Sequence, residues 1–156
     1  YFPDSIKYLF KLKTIKKEES FGSSFMLSIY DVYAKERMKY GDSTFLELQY
    51  CKAKRGTEIK HLCAVHNIRH WANDSLYIHD DDTELFYSTY SSLLGNAFYN
   101  NGRSGKIDLC GINYFTPQDA TSAAERIKTE KPIEYDIFLT WLQKGEKYNG
   151  FYLLGL

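Results

Sequence analysis

The pattern of apolar and polar positions is clearest in the second half of the chain, where it predicts two consecutive helices. Thr116-Pro117-Gln118-Asp119 combines a hydroxyl N-cap, a proline at the first helical position and a carboxylate three residues after the cap, which is typical of a helix start. Pro132 ends this helix, because the residue before a proline avoids the α region. The apolar residues between them share one helical face: Ala120, Ala123, Ala124 and Ile127.

The next segment predicts a second helix, a turn and a strand. The apolar stripe of the helix consists of Tyr135, Phe138, Leu139 and Leu142, with Trp141 alongside. We expect the helix to stop near Gly145 and Tyr148-Asn149-Gly150 to form a turn. Phe151–Leu154 is a short apolar run bounded by glycines, and its length favours a buried strand.

Upstream of these helices, residues 106–115 predict a strand that follows a loop over residues 100–105. Apolar residues alternate with polar ones in this strand, and the alternation shifts phase at Gly111, which indicates a β-bulge. The apolar positions are Ile107, Leu109, Cys110, Ile112 and Tyr114.

A further helix is predicted before the loop. Thr83 caps it, it runs through about Phe98, and Gly95 weakens its last turn. Its apolar residues at helical spacing are Phe86, Tyr90, Leu93, Leu94 and Ala97.

The first half of the chain predicts two more helices and two strands. Phe45–Tyr50 and residues 75–78 are typical of strands, whereas residues 59–68 fit either a strand or a helix. Asp4 caps one helix, which carries Ile6, Leu9, Phe10 and Lys13. The other carries Phe25, Ile29, Val32, Tyr33 and Glu36 and ends at Gly41.

Together these elements predict an α+β fold, with a mostly antiparallel sheet packed with several helices in a single domain over residues 1–156. A chain of 156 residues, 44% of them hydrophobic, buries enough surface to fold without a metal or a disulfide. No internal repeat or Pro/Ser-rich linker marks a second domain.

The charge composition narrows the possible partners. The chain has 20 Lys/Arg and 20 Asp/Glu, and a neutral total argues against direct nucleic-acid binding, which needs a basic face. Residues 1–70 carry 13 basic against 8 acidic side chains, and residues 71–156 carry 7 against 12. This asymmetry fits either an acidic face for a basic partner or attraction between the two halves.

The sequence also bears on the compartment. No run approaches the roughly 18 apolar residues that span a bilayer, and the first residues lack the pattern of a signal peptide. The cysteines are odd in number and widely spaced, at Cys51, Cys63 and Cys110, which indicates buried thiols in a reducing compartment. We therefore expect a cytoplasmic protein without a membrane partner.

One concentration of reactive side chains lies within residues 61–70. His66 and His70 are four residues apart, so on a helix they would share one face and a metal ion. The established zinc spacings are missing, however, which favours ordinary surface histidines. Cys63 has a histidine nearby but no nucleophile elbow or oxyanion-hole turn beside it, which argues against nucleophilic catalysis.

The segment His79-Asp80-Asp81-Asp82-Thr83-Glu84 is the other concentration. Three consecutive carboxylates cannot all face inward, because unpaired buried charge is strongly unfavourable. The segment fits a helix start, where acids complement the helix dipole, and equally an acidic protein-binding edge. It also fits a divalent-cation loop, although the alternating ligands and turn glycine of a calcium loop are missing.

The C-terminal third carries a succession of short motifs that resembles a known family. They are Gly111-Ile112-Asn113-Tyr114-Phe115-Thr116-Pro117, Ile127, Lys131-Pro132, Glu134-Tyr135-Asp136, Leu139, Trp141-Leu142 and Tyr148-Asn149-Gly150-Phe151-Tyr152-Leu153-Leu154-Gly155. Over residues 106–156 the chain resembles the end of small immunity proteins from bacterial polymorphic and contact-dependent growth inhibition toxin systems. The resemblance implies a cytoplasmic protein that blocks a cognate toxin domain, commonly a nuclease. No catalytic residue and no toxin-contacting position can be assigned to this chain from the resemblance.

The sequence thus predicts a non-enzymatic immunity protein, with neither cofactor nor metal, that covers the active site of a basic nuclease toxin. The expected toxin contacts are the acidic segment and nearby tyrosines, a residue type enriched at interfaces: Asp80, Asp81, Asp82, Glu84, Tyr77 and Tyr87. One alternative is a metal-dependent hydrolase or nuclease that uses His61, His66 and His70. Another is a non-catalytic binding module of a longer protein, since the chain does not begin with Met.

Overall fold

The computed structural model describes residues 27–31 and 45–155. Its strands are Ile29–Tyr30 (β1), Phe45–Tyr50 (β2), Leu76–His79 (β3), Ala97–Phe98 (β4), Ser104–Gly105 (β5), Ile112–Phe115 (β6) and Phe151–Leu154 (β7). Its α-helices are Ile59–Leu62 (α1), Thr83–Leu94 (α2), Pro117–Glu130 (α3) and Tyr135–Lys144 (α4). Short 3-10 turns occupy Val65–Asn67, Asp80–Asp82 and Gly145–Lys147.

The strands form one antiparallel sheet in the order β1-β3-β2-β7-β6-β4-β5. Leu48 of β2 lies opposite Leu76 of β3 on one side and Leu153 of β7 on the other. Tyr152 of β7 lies opposite Tyr114 of β6. The sheet and its helices confirm the predicted α+β class.

The longer helices pack on one face of the sheet. Because side chains alternate along a strand, Leu46 and Leu48 of β2 point to the same face. They share a single core with Phe86 of α2, Ile127 of α3 and Phe138 of α4. This core is the larger of two apolar clusters in the described part of the chain.

The opposite face of the sheet is also buried. Residues 51–75, which we call the covering segment, connect β2 to β3 and lie over this face. Leu62 and Cys63 of the segment pack with Tyr114 and Tyr152 of the sheet in the second cluster. With both faces covered, all six residues of β2 are buried, including the polar ones.

The predicted helix–helix–strand unit is confirmed in detail. Thr116 and Asp119 form a capping box: the N–H of Asp119 donates to Thr116 Oγ1 at 3.1 Å, and the N–H of Thr116 donates to Asp119 Oδ2 at 3.0 Å. α3 ends at Glu130, before Pro132, and α4 ends just before Gly145. Both boundaries therefore lie where the sequence places them.

Three predicted elements are wrong in part. The helix that starts after the acidic segment ends at Leu94 instead of Phe98, because Gly95 takes a positive φ of 76° and Ala97–Phe98 joins the sheet. Its N-cap is Asp82, and Thr83 is its first residue. The strand predicted over residues 106–115 shortens to Ile112–Phe115, because Asp108 Oδ1 accepts from the N–H of Cys110 and bends the chain.

The third error concerns Ile29, which was expected on a helix. Ile29 and Tyr30 instead pair with β3 through Ile78 and Tyr77. The remainder of that predicted helix, and the one expected after Asp4, lie outside the described residues. The ambiguous residues 59–68 form the short helix α1 and a 3-10 turn.

Buried tyrosines link the sheet to the segments around it. Besides Tyr77, which donates to Ala72, four of them donate to backbone carbonyls: Tyr50 to Trp141, Tyr90 to Ile133, Tyr114 to Asn149 and Tyr152 to Leu62. Burial raises the pKa of each of these four phenols. The neutral phenol is therefore the form that the folded state favours.

We expect the protein to lose stability at alkaline pH. A phenol with a pKa raised by folding contributes its full stabilisation below its unfolded pKa of about 10, and loses it as the pH rises above that value. Phenolate absorbance of the buried tyrosines should therefore appear together with the loss of circular dichroism. Complete ionisation of all 14 tyrosines in a natively folded chain would contradict this expectation.

Candidate functional site

The acidic segment forms a tight turn between β3 and α2. His79 caps the turn, because its Nδ1 accepts from the N–H of Asp81 at 3.2 Å. The same nitrogen lies 3.1 Å from Asp80 Oδ1. A ring nitrogen cannot accept and donate at once, so the cap and the ion pair with Asp80 belong to different protonation states of His79.

The structure divides the six predicted toxin contacts into two groups. Asp80, Asp81 and Glu84 are exposed, and Tyr87 is half-buried on α2. Tyr77 is 0% exposed and donates its hydroxyl to the carbonyl of Ala72 at 2.6 Å, so it is a core residue. Asp82 is 3% exposed at the start of α2. Tyr77 and Asp82 were expected to contact a toxin, and their burial corrects that expectation.

A second pair of carboxylates lies close to the acidic segment. Asp82 and Glu134 both raise the pKa of Tyr30, after the larger effect of burial. Glu134 and Asp136, at the start of α4, act in the same way on Tyr90. The starts of α2 and α4 therefore approach each other through Asp82 and Glu134, and we call the carboxylates of Asp80, Asp81, Glu84 and Glu134 the acidic face.

The predicted metal ligands are not brought together. His61 lies on α1 and His66 in the following 3-10 turn, both exposed, while His70 Nδ1 lies 3.7 Å from Glu47 Oε1. Within residues 27–31 and 45–155, the single group of three donors within 4.8 Å of one another is His79, Asp80 and Asp81. These are adjacent residues at the surface, a common arrangement where no metal binds, so the group carries no metal assignment.

The polar feature that the sequence did not reveal is the carboxylate of Glu47, which is 1% exposed in the middle of β2. It accepts hydrogen bonds from the N–H groups of Trp71 and Ala72 at 2.7 and 3.1 Å. It also accepts from Ser75 Oγ at 2.7 Å and from Gln49 Nε2 at 2.9 Å. Four donors thus satisfy a carboxylate that would otherwise be strongly unfavourable to bury.

This arrangement fixes the end of the covering segment. Trp71 has a φ of 73°, in the left-handed region that a non-glycine residue seldom adopts. Its N–H is held by Glu47, and its ring stacks on Tyr77 with centroids 6.1 Å apart. The carboxylate and the ring contact together hold a backbone conformation that is unfavourable by itself.

Open cavities gather at the end of β3 opposite the acidic segment. One of about 700 Å³ lies beside Tyr50, Trp141 and Tyr148, and one of about 500 Å³ lies between the sheet and the covering segment. The two share Tyr50 and Asp74. A third, of about 640 Å³, is a groove between α3 and α4 that also reaches Tyr148.

The rings and charges at this end are tightly connected. Tyr50 stacks on Trp141 with centroids 4.1 Å apart and contacts Tyr148 at 4.9 Å. Lys52 Nζ lies 2.6 Å from Asp74 Oδ2, and this hydrogen bond raises the pKa of Lys52. Of this arrangement the sequence predicted only the turn at Tyr148, because the residues in contact here are far apart along the chain.

The cysteines divide by exposure. Cys51 and Cys63 are buried as expected, but Cys110 is exposed in the turn before β6, which corrects the expectation for that residue. Cys51 Sγ donates to Tyr152 Oη at 3.4 Å. Burial raises the pKa of the Cys63 thiol to about 11, with a smaller contribution from Cys51, so Cys63 is a poor nucleophile at neutral pH.

Comparison with models of known protein families, with curated proteins and with solved structures found no match for this chain. In the part of the chain that the structure describes, no helix combines the length and the apolar character needed to cross a membrane.

We expect Glu47→Gln to destabilise the protein by about 3 kcal/mol. The glutamine amide would place its own N–H group against the N–H and O–H groups that now donate to the carboxylate. Buried polar groups would therefore be left unpaired. Chemical denaturation measures the loss, and proteolysis should cut the variant first within residues 51–75. Glu58→Gln, an exposed carboxylate on the same segment, is the matched control. Equal stability of the two variants would show that Glu47 does not anchor the segment.

We also expect thiol labelling of the native protein to modify Cys110 and to spare Cys51 and Cys63. Exposure gives reagent access to Cys110 alone, whereas the other two thiols lie in the core. Mass spectrometry after a short reaction identifies the labelled site, and Cys110→Ser should abolish labelling. Rapid modification of Cys63 in the folded chain would be inconsistent with its burial.

Proposed function

We propose that this chain is an immunity protein, a non-enzymatic partner that covers the active site of a cognate toxin domain. The observation that carries the proposal is the acidic face at the shared start of α2 and α4. Asp80, Asp81 and Glu84 of this face are exposed, and Glu134 is half-buried. Several carboxylates on one surface suit a partner with a basic cleft.

A nuclease toxin has such a cleft, because it must attract the phosphates of its substrate. Carboxylates placed against that charge steer the two proteins together, and they add affinity where the interface excludes water. Tyr87 of α2 packs against the core but is only half-buried, so the exposed part of its ring supplies an aromatic contact of the kind enriched at interfaces. The proposed partner is therefore a basic nuclease domain.

The resemblance of residues 106–156 to immunity proteins, which stays a prediction from the sequence motifs, is a second support. In this chain that stretch includes β6, α3, α4 and β7, and most of its apolar residues belong to the core. The acidic face draws on it only at the start of α4. The family likeness and the proposed contact surface are thus largely separate features.

A toxin that degrades nucleic acid acts inside the cell, and we propose that its inhibitor is cytoplasmic too. The three cysteines are unpaired, which supports a reducing compartment.

The test uses the toxin domain encoded beside the gene for this chain. Co-expression of the chain should restore growth to cells that express that domain, and the two purified proteins should form a complex. The triple variant Asp80→Asn, Asp81→Asn, Glu84→Gln should weaken the complex about tenfold to a hundredfold and reduce its salt dependence, because steering and rim contacts are lost.

The matched control is Glu58→Gln, Glu125→Gln, Glu146→Gln, which makes the same change in net charge at exposed positions on other elements. It should bind almost as tightly as the unmodified chain. Equal effects of the two triple variants would exclude the acidic face as the interface. Failure of the unmodified chain to bind the toxin domain or to restore growth would refute the immunity function itself.

A further inference from the structure

The cavity between the sheet and the covering segment has the size and lining of a small-molecule site. Its volume of about 500 Å³ lies within the usual range for such sites. Gln49 and Tyr152 of the sheet line one side. Side chains of the covering segment line the other, among them His61, Asn67 and Arg69.

The charges in this cavity do not cancel. Lys52 and Arg69 line it with a single carboxylate, that of Asp74. Lys52 and Asp74 neutralise each other through their 2.6 Å contact. Arg69 forms no ion pair and donates no side-chain hydrogen bond to any residue within 27–31 and 45–155. Arg69 is thus a cation on the lining of the cavity that no described residue neutralises.

The wall that carries Arg69 is rigidly held. Gln49 Nε2 donates to the carbonyl of Arg69 at 2.7 Å and to Glu47 Oε2 at 2.9 Å. Glu47 in turn fixes Trp71 and Ala72, the first of them in the strained left-handed conformation. Backbone strain of this kind persists where the surrounding structure enforces it, and it clusters at binding sites.

The same bonds orient Gln49 toward a ligand. Both hydrogens of its amide nitrogen are engaged, one by Glu47 and one by Arg69. Its carbonyl oxygen is thus left to accept a hydrogen bond from a hydroxyl or amino group. The cavity therefore offers an acceptor held in place by two hydrogen bonds, and a cation on a residue whose backbone carbonyl is fixed.

We propose that this cavity binds a small molecule with an anionic oxygen group, a phosphate or a carboxylate, on Arg69, with Gln49 orienting the rest of the ligand. The planar fork of arginine suits both anions, because two parallel N–H groups can bind two oxygens. This site is independent of the acidic face and of the proposed immunity function.

The experiment titrates the whole chain with inorganic phosphate and, separately, with succinate, while NMR follows the side-chain amides of Gln49 and Asn67. Saturable shifts with at least one probe are expected. A response to phosphate alone assigns a phosphate ligand, and a response to succinate alone assigns a carboxylate. Absence of saturable shifts with both probes would overturn the proposal.

Two single variants separate a specific site from diffuse attraction. Arg69→Gln should weaken binding by about tenfold or more, since it removes a charge-assisted pair of hydrogen bonds. Lys54→Gln is the control, because Lys54 is an exposed cation on the same segment but does not line the cavity. It should change binding by less than about twofold. Both side chains are exposed, so thermal unfolding should match the parent protein, and equal weakening by the two variants would reject the site.

Discussion

The buried carboxylate of Glu47 is the interaction on which the second face of the sheet depends. A polar side chain in the middle of β2 would normally face water, yet here the covering segment lies over it. The segment can do so because it brings two backbone N–H groups and the hydroxyl of Ser75 to the carboxylate. The charge is thereby satisfied, and the strands behind it are shielded from solvent.

This constraint separates the two proposed binding surfaces. The acidic face belongs to the helical side, where β3 passes into α2, and its shape depends on helix starts. The cavity above Gln49 belongs to the opposite end, where its shape depends on the covering segment. Asp74 and Asp80 are six residues apart, so an extended strand separates them by about 20 Å. A ligand at one end therefore has no direct contact with a partner at the other.

The sequence predicted the elements whose signals are local. The capping box at Thr116, the proline stop and the glycine-bounded strand β7 each rest on neighbouring residues, and each is confirmed. The two-residue strands β4 and β5 were missed, because such strands exist only through their pairing with distant residues. For the same reason the positive φ at Gly95 ended a helix whose apolar spacing continues beyond it.

The candidate site was predicted less completely than the fold. The reason is again that some of its residues depend on contacts with parts of the chain that are distant in sequence. The exposed carboxylates Asp80, Asp81 and Glu84 were identified because three consecutive acids must include surface positions. Glu47 and Gln49 gave no such signal, since polar residues alternating with leucines are typical of a strand with one face in water. Only the tertiary structure shows that the covering segment lies over that face. There Glu47 holds the segment in place and Gln49 lines a cavity.

The position of β7 has a consequence for how the chain acquires its fold. β7 is a central strand between β2 and β6, but every other described element precedes it in sequence. The β1-β3-β2 and β6-β4-β5 strands therefore cannot join into one sheet until β7 has been synthesised. Unpaired edges attract other chains. Before β7 pairs, β2 and β6 each have such an edge, so the pairing of β7 joins the two groups of strands and covers both edges at once.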